Sequence, residues 1–242
     1  MSSDDFCFQL NKRICQAQSV KELDNIVYKN VYKMNEVNLS TTINRCAKLV
    51  RNEKDDLIAK ELISIFVPLI ISKVKTFKAQ DISNILWAFA KLGIKQEEIF
   101  NVFVPQIIAK VKTFKAQEIA NILWAFAKLG IKCEEIFNVF VPQIILKAIT
   151  FNSQNISNIL WAFAKSKIIN EEMFVKLLYC TDNLKFNDIE LSQISDFVTF
   201  MQENDIYLEI PNKTFEAVIS YRLRKFKNNE KISEDSEAAS SY

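Results

Sequence analysis

The chain repeats itself. Phe77, Phe114 and Phe151 stand 37 residues apart, and Trp87, Trp124 and Trp161 keep the same interval. Segments 77–113 and 114–150 differ at only six positions: Asp81/Glu118, Ser83/Ala120, Gln96/Cys133, Ala109/Leu146, Val111/Ala148 and Lys112/Ile149. Self-similarity at a period of this length requires a stack of like supersecondary units, each burying its apolar face against the next.

Each unit reads as two helices. In the first, QDISNILWAFAKL, residues Ile82, Ile85, Leu86, Phe89 and Leu92 recur at helical spacing and draw one apolar stripe. Gly93 and Gly130 follow, where a left-handed residue ends a helix. The second helix opens on Glu97-Glu98 or Glu134-Glu135, carboxylates that suit the positive end of the helix dipole. Pro68, Pro105 and Pro142 recur inside it, and each is expected to kink or split the helix, bending the stack regularly. With two glycines and four prolines in all, turn material for a sheet protein is scarce. The expected fold is all-α: a right-handed α-solenoid of tandem 37-residue helix–turn–helix repeats with capping helices.

The array wears out at both ends. An N-terminal helical cap is expected over 1–36, with a capping-box start at Ser19 and Glu22. About four repeats fill 37–185, near 38–76, 77–113, 114–150 and 151–185, the first with Asn44 at the tryptophan slot and a six-residue insertion, RNEKDD. A degenerate repeat and capping helix follow over 186–229, and the polar 230–242 reads as a disordered tail.

At the string F-x-x-Q-[DEN]-I-[SA]-N-I-L-W-A-F-A-K the chain resembles helix A of the octotricopeptide repeats. It is similar as well to the heptatricopeptide and FAST-kinase-type helical repeats, over roughly residues 38–178. The resemblance implies an α-solenoid that binds RNA and takes part in its processing, stability or translation. Nothing here resembles the RAP domain that many such proteins carry, so a non-catalytic chain is expected.

The outward half of helix A holds the candidate site. On a helical wheel Gln80, Asn84, Trp87, Ala88 and Lys91 lie opposite the core stripe, as do Gln117, Asn121, Trp124 and Lys128, then Gln154, Asn158, Trp161 and Lys165. Stacked, they would form ladders: amides for unpaired base edges, lysines for phosphates. The amides could equally tie neighbouring helices together, and the tryptophans are expected to pack against the next repeat rather than stack on bases. Because Gln80, Asn84 and Lys91 recur unchanged, any sequence code must sit at the variable, outward-read positions Asp81, Glu118 and Asn155, with Ser83, Ala120 and Ser157 beside them. Base gathers where helix B hands over to helix A: Lys73, Lys75 and Lys78, then Lys110, Lys112 and Lys115, then Lys147. That edge carries the helix A N-termini, whose free amides favour phosphate.

Other classes are disfavoured. The chain has no histidine, and its five cysteines (Cys7, Cys15, Cys46, Cys133 and Cys180) include no C-x-x-C pair, so no catalytic site, metal site or cofactor is expected. The formal net charge of +2 does not itself imply a polyanion partner. No run reaches the roughly twenty apolar residues that span a bilayer, so a soluble, intracellular protein is expected, with cytoplasm, organelle matrix and export as an effector all open. The expected partner is single-stranded RNA; the alternative is a protein held on the solenoid surface, with no small-molecule substrate or membrane in either reading.

Overall fold

The computed structural model describes residues 2–239 of the chain, with side chains through 228. Twelve α-helices and three short 3-10 turns make up its regular structure, and no strand occurs among the described residues. The chain divides into two compact units, one running to Gln143 and the other starting at Ile144.

The first unit holds α1 (Ser3–Gln16), α2 (Val20–Asn30), α3 (Glu36–Leu49), α4 (Glu53–Lys73), α5 (Ala79–Lys91), α6 (Glu97–Ala109) and α7 (Ala116–Leu129). Helix α8 (Glu134–Lys147) begins in it and runs across the division. The A helices α1, α3, α5 and α7 pack side by side, and the B helices α2, α4 and α6 form a second row. Phenylalanines pin the two rows together. Phe77, just ahead of α5, meets Phe103 of α6 edge to face at 5.7 Å, and Phe114 meets Phe140 in the same way at 5.5 Å. Phe100 of α6 then reaches forward to Phe126 of α7 at 5.0 Å, so one ring joins the halves of a hairpin and the next joins hairpin to hairpin. Edge-to-face pairs add about 0.5–1.5 kcal/mol each beyond the area they bury.

The second unit holds α9 (Ser153–Ser166), α10 (Glu171–Tyr179), α11 (Asp188–Glu203) and α12 (Asn212–Ala239). Here α9 packs on α11 and α11 on α12. Phe174 of α10 lies between Phe163 of α9 and Phe197 of α11, at 5.9 and 4.9 Å. Both units are tandem helical hairpins packed neighbour to neighbour, the α-solenoid arrangement.

Helix ends follow the local chemistry. After α5, Ile94 N–H donates to Phe89 O at 2.8 Å and Gly93 N–H to Ala90 O at 3.2 Å, with Gly93 at φ 67°. This paired closure fits a residue without a Cβ. Gly130 repeats it after α7, and after α9 Lys167 takes the same left-handed place at φ 58°. The prolines do not split their helices: α4, α6 and α8 run unbroken through Pro68, Pro105 and Pro142. All three rings are solvent-exposed, so the carbonyl each leaves without a partner can turn to water. Helix α12 extends to Ala239, through much of the stretch read as a disordered tail, whose Glu, Lys and Ala are good helix formers; residues 240–242 lie outside the described residues. No helix among the described residues is long and apolar enough to cross a membrane.

Candidate nucleic-acid interface

Helix α5 shows how little of an A helix stays in contact with water. Of its residues only Gln80, Asn84, Trp87 and Lys91 escape burial. They fall at i, i+4, i+7 and i+11, a stripe one residue wide. Side-by-side packing on α3 and α7 buries both flanks and the B layer buries the base, so the rest of the circumference is covered. On α7 the same places are Gln117 and Lys128, exposed, with Asn121 and Trp124 half-buried. On α9, Gln154 and Lys165 are exposed, Trp161 is half-buried and Asn158 is buried.

Ala88 was expected on this stripe and is instead fully buried, because α5 has neighbours on both flanks. A larger correction concerns the positions expected to carry a sequence code. Asp81, Glu118 and Asn155 are 7%, 9% and 4% exposed, and Ser83, Ala120 and Ser157 are fully covered. The first three are the third residues of their helices and serve the helix ends. Lys78 N–H donates to Asp81 Oδ2 at 3.1 Å, and Lys115 N–H to Glu118 Oε2 at 2.8 Å. In α9 the uncharged Asn152 Oδ1 accepts from Asn155 N–H at 2.9 Å instead. Asp81 also accepts from Ser40 Oγ of α3 at 2.6 Å, a buried clasp between adjacent A helices. A carboxylate therefore caps the start of α5 and of α7 through the N-cap amide, which lowers the attraction of those ends for a phosphate.

The stripe amides are partly spent on their neighbours. Asn44 Nδ2 donates to Asn84 Oδ1 at 3.3 Å, and within the second unit Gln193 Nε2 donates to Asn158 Oδ1 at 2.8 Å. Gln80, Gln117 and Gln154 stay open to solvent. The tryptophans are neither buried nor bare. Lys91 lies 5.1 Å from the Trp87 ring centre and Lys48 of α3 lies 5.8 Å from it, so cations already cover part of the π surface.

The basic edge is smaller than the sequence count. Lys73 pairs with Glu36 at 3.2 Å, and Lys110 donates to Gln106 Oε1 at 2.8 Å along its own helix. Burial pushes the Glu36 carboxyl up, but hydrogen bonds from its own amide, Thr76 and Lys73, with the Lys73 charge, together hold it below its usual value. Lys147 is half-buried. Lys75, Lys78, Lys112 and Lys115 are exposed, and no ion pair holds them among the described residues. Lys78 and Lys115 are the N-cap residues of α5 and α7, which pack together, so these four cations lie along one edge of the first unit.

Gln193 and Asp196 escape a reading at a 37-residue period, while Asn44 and Lys48 follow once the insertion is allowed for. Lys48 and Asn44 sit 43 residues before Lys91 and Trp87, the repeat lengthened by the RNEKDD insertion. Gln193 and Asp196 sit 35 residues after Asn158 and Trp161, two short of the period. Shifting the alignment to the helix caps, Asn35 to Lys78 and Asn152 to Asn187, recovers all four.

Among the described residues no group of three or more acidic or thiol side chains could hold a metal ion. No curated protein matches the chain. The family model for RNA-editing substrate-binding complex 6 protein matches residues 18–197, most of the chain and nearly all of the repeat array, and the chain belongs to that family.

Proposed function

We propose that the chain is a non-catalytic RNA-binding component of a larger assembly, holding single-stranded RNA against the A-helix stripe. The observation that carries this reading is the exposure pattern of α5 and α7. Water reaches one line of amide, indole and ammonium groups, and four unpaired lysines lie along the edge where those helices begin. A strand can rest its phosphates on Lys75, Lys78, Lys112 and Lys115 and turn its bases toward Gln80, Gln117, Trp87 and Trp124. The family's description, a protein of an RNA-editing substrate-binding complex, supports association with RNA. The kinship of the repeats to the octotricopeptide and heptatricopeptide type belongs to the same proposal.

With Asp81, Glu118 and Asn155 committed to helix ends, none of the four stripe positions varies among the three tryptophan copies, so the stripe should bind with little sequence preference. Fluorescence anisotropy of a labelled single-stranded RNA of mixed sequence, titrated at several salt concentrations, tests it. On single strands each phosphate contact contributes about −0.7 to the slope of log K against log salt. Replacing the four lysines with alanine should flatten that slope by about 3. No binding at micromolar protein in low salt, or an unchanged slope, would remove the proposal.

A second reading has its own observation. On α12, Phe215, Ile219, Leu223 and Phe226 are exposed at 48%, 37%, 57% and 62%, and they recur at helical spacing. Such an apolar line beside Arg224, Lys225 and Lys227 suits docking of a protein partner within the assembly. Capture of one partner unchanged by nuclease treatment, and lost on Leu223→Asp, favours that role for α12.

A further inference from the structure

Trp161 is the last of the three repeated tryptophans in the sequence. One place further along the stack, at the equivalent position of α11, stands Asp196. Trp161 Nε1–H donates to Asp196 Oδ2 at 3.1 Å, so the indole edge is held by a carboxylate where another indole would otherwise lie. Beside this pair lies a cleft of about 610 Å³ in the second unit. Trp161, Lys165, Lys167, Asp196, Phe200 and Glu203 line it. Ligand sites generally run from about 300 to 1,000 Å³.

Two substitutions that break the repeat meet in this cleft. One is the aspartate at the tryptophan slot. The other is Lys167, which stands where the two preceding copies have Gly93 and Gly130. A lysine at φ 58° is held in backbone geometry that disfavours a side chain, and it stands with Lys165 in the lining of the cleft. Local structure does not call for that lysine. A phosphate does.

The remaining groups select the base. Asp196 Oδ1 takes no hydrogen bond from a described residue, and Asp196 and Glu203 can only accept. A base stacked on Trp161 must therefore present donors. Guanine carries N1–H and the exocyclic N2 amine side by side, a pair that fits one carboxylate. Adenine and cytosine offer one amine next to an acceptor, and uracil a single N–H between two carbonyls. We propose that this cleft is a guanine-nucleotide subsite. The ring stacks on Trp161, the Watson–Crick edge meets Asp196, and the phosphate lies between Lys165 and Lys167. It rests on the RNA-binding reading above for its natural ligand, an unpaired guanine in a strand, and it is separable from that reading by experiment.

Nucleotide quenching is read in the full chain with Trp87 and Trp124 changed to phenylalanine, so that all indole emission comes from Trp161, while every affinity, including all oligonucleotide binding, is measured by calorimetry on the unaltered chain. GMP should quench saturably and bind at least about tenfold tighter than AMP, CMP or UMP, the scale of one bidentate base contact. Asp196→Asn keeps an acceptor for the Trp161 indole but removes the two-oxygen edge, and should erase that preference. Lys167→Gly should weaken GMP about as much as it weakens any nucleotide. A single guanine in an oligouridine should tighten binding by a similar factor, which separates a strand guanine from free nucleotide. Equal binding of all four nucleotides, absence of saturation at millimolar GMP, or indifference to Asp196→Asn overturns the subsite. If oligouridine still binds with a steep salt slope in that case, the RNA reading survives; if GMP binds and no oligonucleotide does, the subsite stands and the RNA reading falls.

Discussion

Replacing Lys167 with glycine should make the protein more stable and its cleft weaker. The backbone at Lys167 has φ 58° and ψ 38°, and the turn is closed by Ile168 N–H to Phe163 O and Lys167 N–H to Ala164 O, both at 3.0 Å. Gly93 and Gly130 make the same closure without penalty. A side chain in the left-handed region costs about 1–2 kcal/mol. Glycine's extra freedom in the unfolded chain takes back about 0.4–1 kcal/mol of the gain. The net expectation is about 0.5–1 kcal/mol of added stability, or roughly 1–4 °C in Tm for a chain of this size. The reverse change, Gly130→Ala, should lose a like amount: nothing lies within 4 Å of the added Cβ, so only the dihedral penalty acts. Urea unfolding followed by Trp161 fluorescence in the Trp87→Phe, Trp124→Phe chain reads the second unit directly. The midpoint for Lys167→Gly should rise with its slope unchanged while nucleotide affinity falls. A lower midpoint would mean that contacts of the lysine outweigh its strain, and the case for a residue retained for binding at the expense of stability would fail.

Phe126→Ala removes a fully buried ring that pairs with Phe100 and should cost about 3–5 kcal/mol, read as lost cooperativity of the first unit in chemical denaturation. Burial, with the Asp24 charge acting in the same direction, pushes the Cys46 thiol up to about 12. Cys46 should therefore resist a thiol reagent at pH 8 until the chain unfolds, whereas exposed Cys15 reacts at once. The same shift makes stability independent of Cys46 below about pH 9, where both states are protonated. Between about pH 9 and 12 it should fall by about 1.4 kcal/mol per pH unit, because only the unfolded thiol ionises there. A Cys46→Ala variant without that alkaline loss confirms the assignment; an identical pH profile contradicts it.

The hairpins and the narrow outward stripe were legible in the sequence because both follow from spacing alone. Gln80, Asn84, Trp87 and Lys91 share a face whatever packs around them. What the wheel misjudged was the width of the buried arc. It treats a helix as having one covered side, yet α5 is flanked by α3 and α7 and backed by B helices, which takes Ala88, Asp81 and Ser83 out of solvent. Asp81 and Glu118 escaped as capping residues because the position three before each is a lysine, not the serine or threonine that signals a capping box. Lys73 counted as free because its partner Glu36 lies 37 residues away on another helix. The cleft at Trp161 was hidden by register: α11 runs two residues short of the period, so Asp196 did not align with the tryptophan whose place it takes.

The most direct test is to photocross-link a 4-thiouridine-bearing single strand to the full chain and map the adducts by mass spectrometry. Cross-links should concentrate on peptides covering 75–91 and 112–128, and should fade when Lys75, Lys78, Lys112 and Lys115 are replaced together. Adducts confined to the B helices α4 and α6 or to α12, or none at all, would contradict the claim that the exposed A-helix stripe is where this protein meets RNA.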